Sequence, residues 1–388
     1  ALNSNIDLTN LSASNLTSGT VADARLPANA LNSNVSVPNQ SAFKNIIING
    51  DMSIAQRGTS ATGVGASDTY LIDRFLLDAN AAPSARFTMS QSTDVPTGQG
   101  FATSLKMDCT TAQASYTGNQ LTAISQRFEG QNVQYLKYGT SSAETLTLSF
   151  WVKSNKTGTY IAELDQAGNG RDQSQSYTIS SANTWEKKTL TYTGDTASTL
   201  ANDNTEELEV YFWLACSSAF SSGTLNTSWN STTNANRAVG QVNLSDSTSN
   251  DFYITGIQLE AGTTASDFEF LPVDVNLARC QRYFYMHAQG AGDELGIGCY
   301  YNSSQIALDF AFPVTMRATP SVYQTTGTDY FATYRPGVAD GFNSLTAGSA
   351  TTTMFGLYNN TEVSGTAQDA QFFRTANGST KLGADAEL

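Results

Sequence analysis

The 388-residue chain holds one histidine, His287, and four cysteines. A single histidine rules out a histidine metal cluster, and any Ser-His-Asp triad would have to use His287 itself. Cys109, Cys216, Cys280 and Cys299 form no CxxC, so zinc spacing is lacking. Cys216 closes the strand-like run YFWLAC and reads as a small buried apolar residue. Four free thiols are expected, as suits folding in a reducing cytoplasm. Charge is also scarce. Only 14% of residues are charged, and 20 basic residues against 34 acidic ones leave a net charge of -14. That balance excludes nucleic acid as a partner, since phosphates need clusters of Lys and Arg, and it disfavours anionic membranes. No apolar run approaches the length of a bilayer span, so no membrane insertion is expected. No GxSxG occurs, the glycines at 290, 292, 296 and 298 lack dinucleotide spacing, and no DxDxDG calcium loop is present. No cofactor and no metal are expected.

What the chain has instead is Ser, Thr, Asn and Gly, on a 40% hydrophobic background sufficient for a core. The first 42 residues are unusual. Ile6, Leu11, Leu16, Val21, Leu26 and Leu31 recur every fifth residue, a period of neither helix nor strand. ALNSNI at Ala1 returns as ALNSNV at Ala30. Burying six aliphatic side chains returns about 1.5–3 kcal/mol each, while ordering some thirty residues costs about 1–2 kcal/mol each. Alone, the segment loses by this balance: either it is disordered, or it finds apolar surface and hydrogen-bond partners on other chains. The period favours an extended shaft intertwined with copies of itself, with those six residues as its core. The chain opens on Ala1 and shows no signal peptide, so a piece of a longer product is expected.

From Phe43 the pattern becomes strand and turn. NIIINGDMS reads as a short apolar strand with a turn at Asn49-Gly50-Asp51. TLTLSFWVKS places Leu146, Leu148, Phe150 and Val152 on one face. ELEVYFWLAC places Leu208, Val210, Phe212 and Leu214 on one face and Tyr211 and Trp213 on the other. TWEKKTLTYTG and FYITGIQLE continue the series. Short strands between Gly, Asn and Ser turns predict an antiparallel sandwich or jelly roll. DVNLARCQRYF, after Pro272 and with Asp274 as a possible cap, predicts one short linking helix. QIALDFAFPVTMRATPSVY then alternates again, with Ile306, Leu308, Phe310 and Phe312 together. The fold class expected is all-β: a shaft over 1–42, a jelly-roll sandwich over 43–272, and a β-sandwich-like tip over 273–388.

LTSGTVADARLP resembles repeats of bacteriophage tail-fibre shafts. KNIIINGDMSIAQRGTS with YLIDRF, LSFWVKSNKTGTY, NTWEKKTLTYTGDT, YITGIQLEAGTTASDFEFLPVDVNLARCQRYF and FPVTMRATPSV are similar, in the same order, to a domain of phage tail-fibre proteins. The resemblance spans most of residues 9–323. It implies a homotrimeric fibre in the virion, assembled in the host cytoplasm, with residues 43–272 as a jelly-roll domain like a carbohydrate-binding module. Its N-terminal side would join other tail proteins, and its tip would meet host surface polysaccharide or lipopolysaccharide. No catalytic residues are implied, and a non-enzymatic attachment protein is expected.

Two other readings come from the residues. Asp51, Asp73, Glu163, Asp165, Asp172 and Asp251 could supply paired carboxylates for a tail-borne glycan depolymerase. A secreted bacterial carbohydrate-binding module would share the sandwich but has no use for the shaft repeat. For glycan binding, Trp151, Tyr211 and Trp213 are candidates as aromatics opposite the core on two strands that could be neighbours, and Trp229 as a loop aromatic. Tyr323, Tyr330, Phe331 and Tyr334 are candidates at the tip, in Gly- and Thr-rich sequence suited to recognition. Each could equally be packed in a core or against a subunit.

Overall fold

Strict alternation over Leu146–Ser154 and Glu206–Cys216 buries the residues the sequence points inward, and the two strands lie in opposing sheets. In a computed structural model, which describes residues 43–388, the first sheet has six antiparallel strands. Their spatial order is Ser60–Val64, Arg86–Ser92, Ser104–Thr111, Asp251–Ala261, Leu146–Ser154 and Glu186–Tyr192. The second has seven, in the order Asn230–Ser231, Arg171–Ile179, Gly158–Gln166, Glu206–Cys216, Leu121–Glu129, Leu76–Asp78 and Thr69–Tyr70. After Ser104–Thr111 the chain crosses repeatedly from one sheet to the other, as a jelly roll does. The inner faces share one core, in which Phe150 of the first sheet meets Phe212 of the second edge to face at 5.1 Å.

A second sandwich follows. Three strands (Phe284–Gln289, Lys381–Asp385, Ser321–Gln324) pack with seven, ordered Val338–Phe342, Phe331–Arg335, Ala370–Thr375, Glu294–Asn302, Gln305–Ala311, Met354–Asn359 and Thr346–Ala350. Its core contains Ile306, Leu308, Phe310 and Phe312 on the face the alternation assigned them. The helix Val273–Gln281 joins the sandwiches, with Pro272 as its N-cap and Asp274 in its first turn rather than capping it. The fold is all-β, and residues 43–388 form one compact unit. Among the described residues no helix is long and apolar enough to cross a membrane. The proposed shaft residues Ile6, Leu11, Leu16, Val21, Leu26 and Leu31 lie outside the described residues.

Two expectations are corrected here. Residues 44–48 form no strand, although Ile46, Ile47 and Ile48 are buried. Side chains take the place of a ladder: the Gln126 amide receives the Ile48 N–H at 2.7 Å and donates to the Ile48 carbonyl at 2.9 Å, and Asn45 donates to the Ile257 carbonyl at 3.0 Å. Trp151 is not a neighbour of Tyr211 and Trp213, because jelly-roll crossing puts their strands in different sheets.

The sandwiches are clamped together by buried arginines. Arg57 lies 3.5 Å from the Phe284 ring centre and pairs with Asp385 at 3.0 Å and Glu387 at 3.3 Å. Arg74 lies 3.5 Å from the Tyr283 ring centre and pairs with Glu387. Asp73 beside it, pushed up to about 6 by burial, receives the Gln56 backbone N–H at 2.8 Å. All four cysteines are free thiols, Cys109 and Cys280 buried and Cys299 exposed.

Candidate functional site

The outer face of the first seven-stranded sheet carries a polar groove. On one strand Glu209, Tyr211 and Trp213 point the same way, two residues apart. Register sets Tyr211 between Ser125 and Glu163, and Glu209 between Arg127 and Asp165. The face is partly roofed by the helix Ser218–Ser221, capped by Ser217, and by residues 234–238. Phe220 of that roof packs on Trp213 with ring centres 5.5 Å apart. Where the roof stops, a cavity of about 620 Å³ opens. Leu121, Tyr211 and Phe220 line it with Asp68, Asp78, Asn80, Asn119, Asn234, Arg127 and Arg237.

Its charges are organised in pairs. The Arg237 Nε donates to Glu163 at 2.7 Å and its Nη2 to Asp165 at 3.0 Å. The Arg127 Nε lies 3.1 Å from Glu209 and 3.4 Å from Glu206. Burial pushes Glu163 up to about 8, with the Arg237 guanidinium pulling the other way. Burial pushes Asp165 up to about 6. Asp78 is pushed up to about 7 by burial, reinforced by the negative charges of Asp68 and Glu209. Such an arrangement favours hydrogen bonding to hydroxyl-rich ligands, because it supplies acceptors, amides and a phenol within a shallow, partly apolar recess.

Tyr211 lines this groove, 8% exposed, with no hydrogen-bond partner for its hydroxyl among the described residues. It offers an edge and a hydroxyl rather than a stacking face, since Arg237 sits 5.3 Å from its ring centre. Trp213 is corrected: it is fully buried, and its indole N–H donates to Glu163 at 2.7 Å. Trp229 is corrected too, being buried in the main core against Tyr138 with its N–H on the Thr193 carbonyl at 2.5 Å. Trp151 is half-buried on the outer face of the six-stranded sheet, between Lys187 and Thr255.

In the second sandwich Phe331 is a fully buried core residue, which removes it as a ligand contact. Tyr323 packs edge-on against Phe284 at 5.0 Å, at the clamp between the sandwiches. Tyr330 is half-buried against the core. Tyr334 is exposed on a sheet face beside Phe372. His287 stacks on Phe310 at 3.8 Å, its Nε2 2.9 Å from the Leu295 carbonyl, and burial lowers its pKa. Of the carboxylates considered for catalysis, Glu163 and Asp165 come together beneath the groove, both held by Arg237. Asp68, Asp78, Asn80, Asn119 and Asn234 were not singled out by sequence: they come from four separate loops and strand ends, with no shared spacing. Among the described residues no grouping of His, Cys, Asp and Glu is suited to hold a metal ion.

No protein-family model and no curated protein matches the chain. Solved structures with some likeness include the enzymatically active domain of bacteriophage CBA120 tailspike protein 4, at 17% identity and TM-score 0.29, over 56% of this chain and 22% of that one. Another is TmCBM61 in complex with β-1,4-galactotriose, at 10% identity and TM-score 0.27, over 56% of this chain and 99% of that one. A third is the N-terminal CBM22-1-CBM22-2 tandem domain of Paenibacillus barcinonensis Xyn10C, at 10% identity and TM-score 0.26, over 90% of this chain and 98% of that one. TM-scores of this size leave the site to be read from its own residues.

Proposed function

We propose that this chain is a non-enzymatic glycan-recognition protein of a phage tail fibre, and that the groove beside Tyr211 holds the glycan. The observation that carries the reading is the groove itself: a cavity of about 620 Å³ with an unpartnered phenol and three asparagines at its wall. The ordered sequence resemblance over residues 9–323 supports the fibre assignment. With it come a homotrimer, attachment to other tail proteins on the N-terminal side, and host surface polysaccharide or lipopolysaccharide as the target. Free thiols accord with assembly in the host cytoplasm. Three linked sites would raise the avidity of a weak single site by a factor of about 10² or more.

The test is an array of bacterial surface glycans probed with the full chain, beside sedimentation of that chain and of a form lacking residues 1–42. The reading expects retained glycans, a trimer, and a weaker trimer after the deletion. An empty array contradicts it. One observation favours a second reading: Asp78 holds its proton near neutrality while Asp68 shares the cavity, as a general acid and its partner would. New reducing ends released from a bound polysaccharide would establish that hydrolase; their absence is expected.

A further inference from the structure

The groove contains two arginines, yet neither has charge to spare for a ligand. Arg237 spends its guanidinium on Glu163 and Asp165, and Arg127 faces Glu206 and Glu209 while its Nη1 donates to the Leu388 carbonyl at 2.8 Å. Each cation is therefore held by two acidic side chains, although burial pushes one of each pair, Glu163 and Glu206, up to about 8. Asp68 and Asp78 reach the same cavity in addition. Asp68 receives the Ala79 N–H at 3.1 Å, but Asp78 accepts no hydrogen bond among the described residues. Tyr211 is nine-tenths buried, and its hydroxyl is equally without a partner there. What faces a ligand is thus an unmet carboxyl group, an unmet phenol and asparagine side chains, in a recess whose surrounding acidic groups already resist the ionisation of Asp78.

Resting on the reading of this groove as a glycan site, we infer that it selects amino sugars bearing a free ammonium group and rejects glycans bearing carboxylate or phosphate. An ammonium supplies the donor and the positive charge that Asp78 lacks, and its hydrogen bond to a carboxylate is charge-assisted. Acetylating the amine removes the charge and keeps the ring. A uronic acid or a phosphorylated sugar would bring a further anion beside Asp68 and Asp78, with no uncommitted cation to receive it, so discrimination comes from repulsion as much as attraction.

The test is isothermal titration of the full chain at pH 6, where the glucosamine amines carry their protons and galacturonate is ionised, with three tetrasaccharides: β-1,4-linked glucosamine, its N-acetylated form, and galacturonate. The expected result is about tenfold tighter binding of the free amine than of the acetylated form, with galacturonate weakest. The preference should shrink as salt is raised. Asp78→Asn, and separately Asp68→Asn, should bring the ratio between the first two tetramers towards one. The ratio is the readout, so a loss of folded protein common to both titrations does not imitate it. Equal binding of amine and acetylated forms, or tighter binding of galacturonate, overturns the charge selection while leaving the groove a glycan site. No binding of any tetramer, with an empty glycan array, overturns the glycan reading beneath it as well.

Discussion

Among the described residues there are two seven-stranded sheets, and their outer faces are built in opposite ways. In the first sandwich that face carries Glu163, Asp165 and Glu209, buried, and Arg127, half-buried, all paired with one another or with Arg237 beside a roof of helix and loop. In the second, register aligns Ile297, Phe372 and Tyr334 in a row across three strands, and they stand 67%, 53% and 36% exposed. Charge is covered in one and apolar surface is open in the other. The difference shows that alternation alone does not set what an outer face becomes. A roof converts charged positions into a low-dielectric pocket where each ion must find its counter-ion, whereas an open face lets each side chain be judged by water one at a time.

The sharpest way to break the comparison is to remove the cation of the roofed face. Arg237→Met leaves Glu163 and Asp165 buried without their partner, and urea unfolding should show a loss of about 3–5 kcal/mol. The loss should be smaller at pH 5, where Asp165, pushed up to about 6, joins Glu163 in holding its proton. A cost below about 1 kcal/mol at pH 7 would mean that the ionic layer is less enclosed than its burial indicates.

The second effect is the pH dependence of the unmodified chain. Glu163, Asp165 and Asp78 titrate near 8, 6 and 7 when folded, above their ordinary values of 4.5, 3.8 and 3.8. Between about pH 4 and 8 the native state therefore binds more protons than the unfolded chain. Their contribution to stability is present at the acidic end and is lost as pH rises through the folded values. Asp73 and Glu206, raised by burial to about 6 and about 8, act in the same sense, and His287, lowered by burial, works in the opposite sense near its ordinary value, as one group against five. Thermal unfolding should give a higher Tm at pH 5.5 than at pH 8. A rising Tm over that range would contradict the proton-holding layer. The open face should respond least: Ile297→Ser and Phe372→Ser should each stay within about 0.5 kcal/mol of the parent in urea.

Much of the fold could be read from sequence where hydrophobic periodicity was strict. Leu146, Leu148, Phe150 and Val152, and likewise Leu208, Val210, Phe212 and Leu214, point where alternation put them. The misreadings have particular causes. NIIING lacks a strand because amide side chains of Asn45 and Gln126 satisfy its backbone in place of a neighbouring strand. Trp151 and Tyr211 fall in different sheets because pairing in a jelly roll is non-local, and composition carries no trace of it. Trp213 was assigned to the outer face correctly, but nothing in its own segment announces that Phe220 and Ala238 will cover it. For the same reason only Tyr211 of the groove was visible in advance, the rest being assembled from distant loops.

The claim that recognition lives in the groove, rather than on the aromatic surfaces elsewhere, is tested most directly by one binding titration. A glycan retained by the full chain would be titrated against the parent, the double variant Asn119→Ala with Asn234→Ala, and Trp151→Ala. Asn119 and Asn234 are exposed at the groove wall, while Trp151 lies on the other sheet. Loss of two polar contacts at about 0.5–1.5 kcal/mol each should weaken binding about tenfold in the double variant, and Trp151→Ala should bind as the parent does. The opposite pattern, an unaffected double variant and a Trp151→Ala protein that no longer binds, would contradict the account.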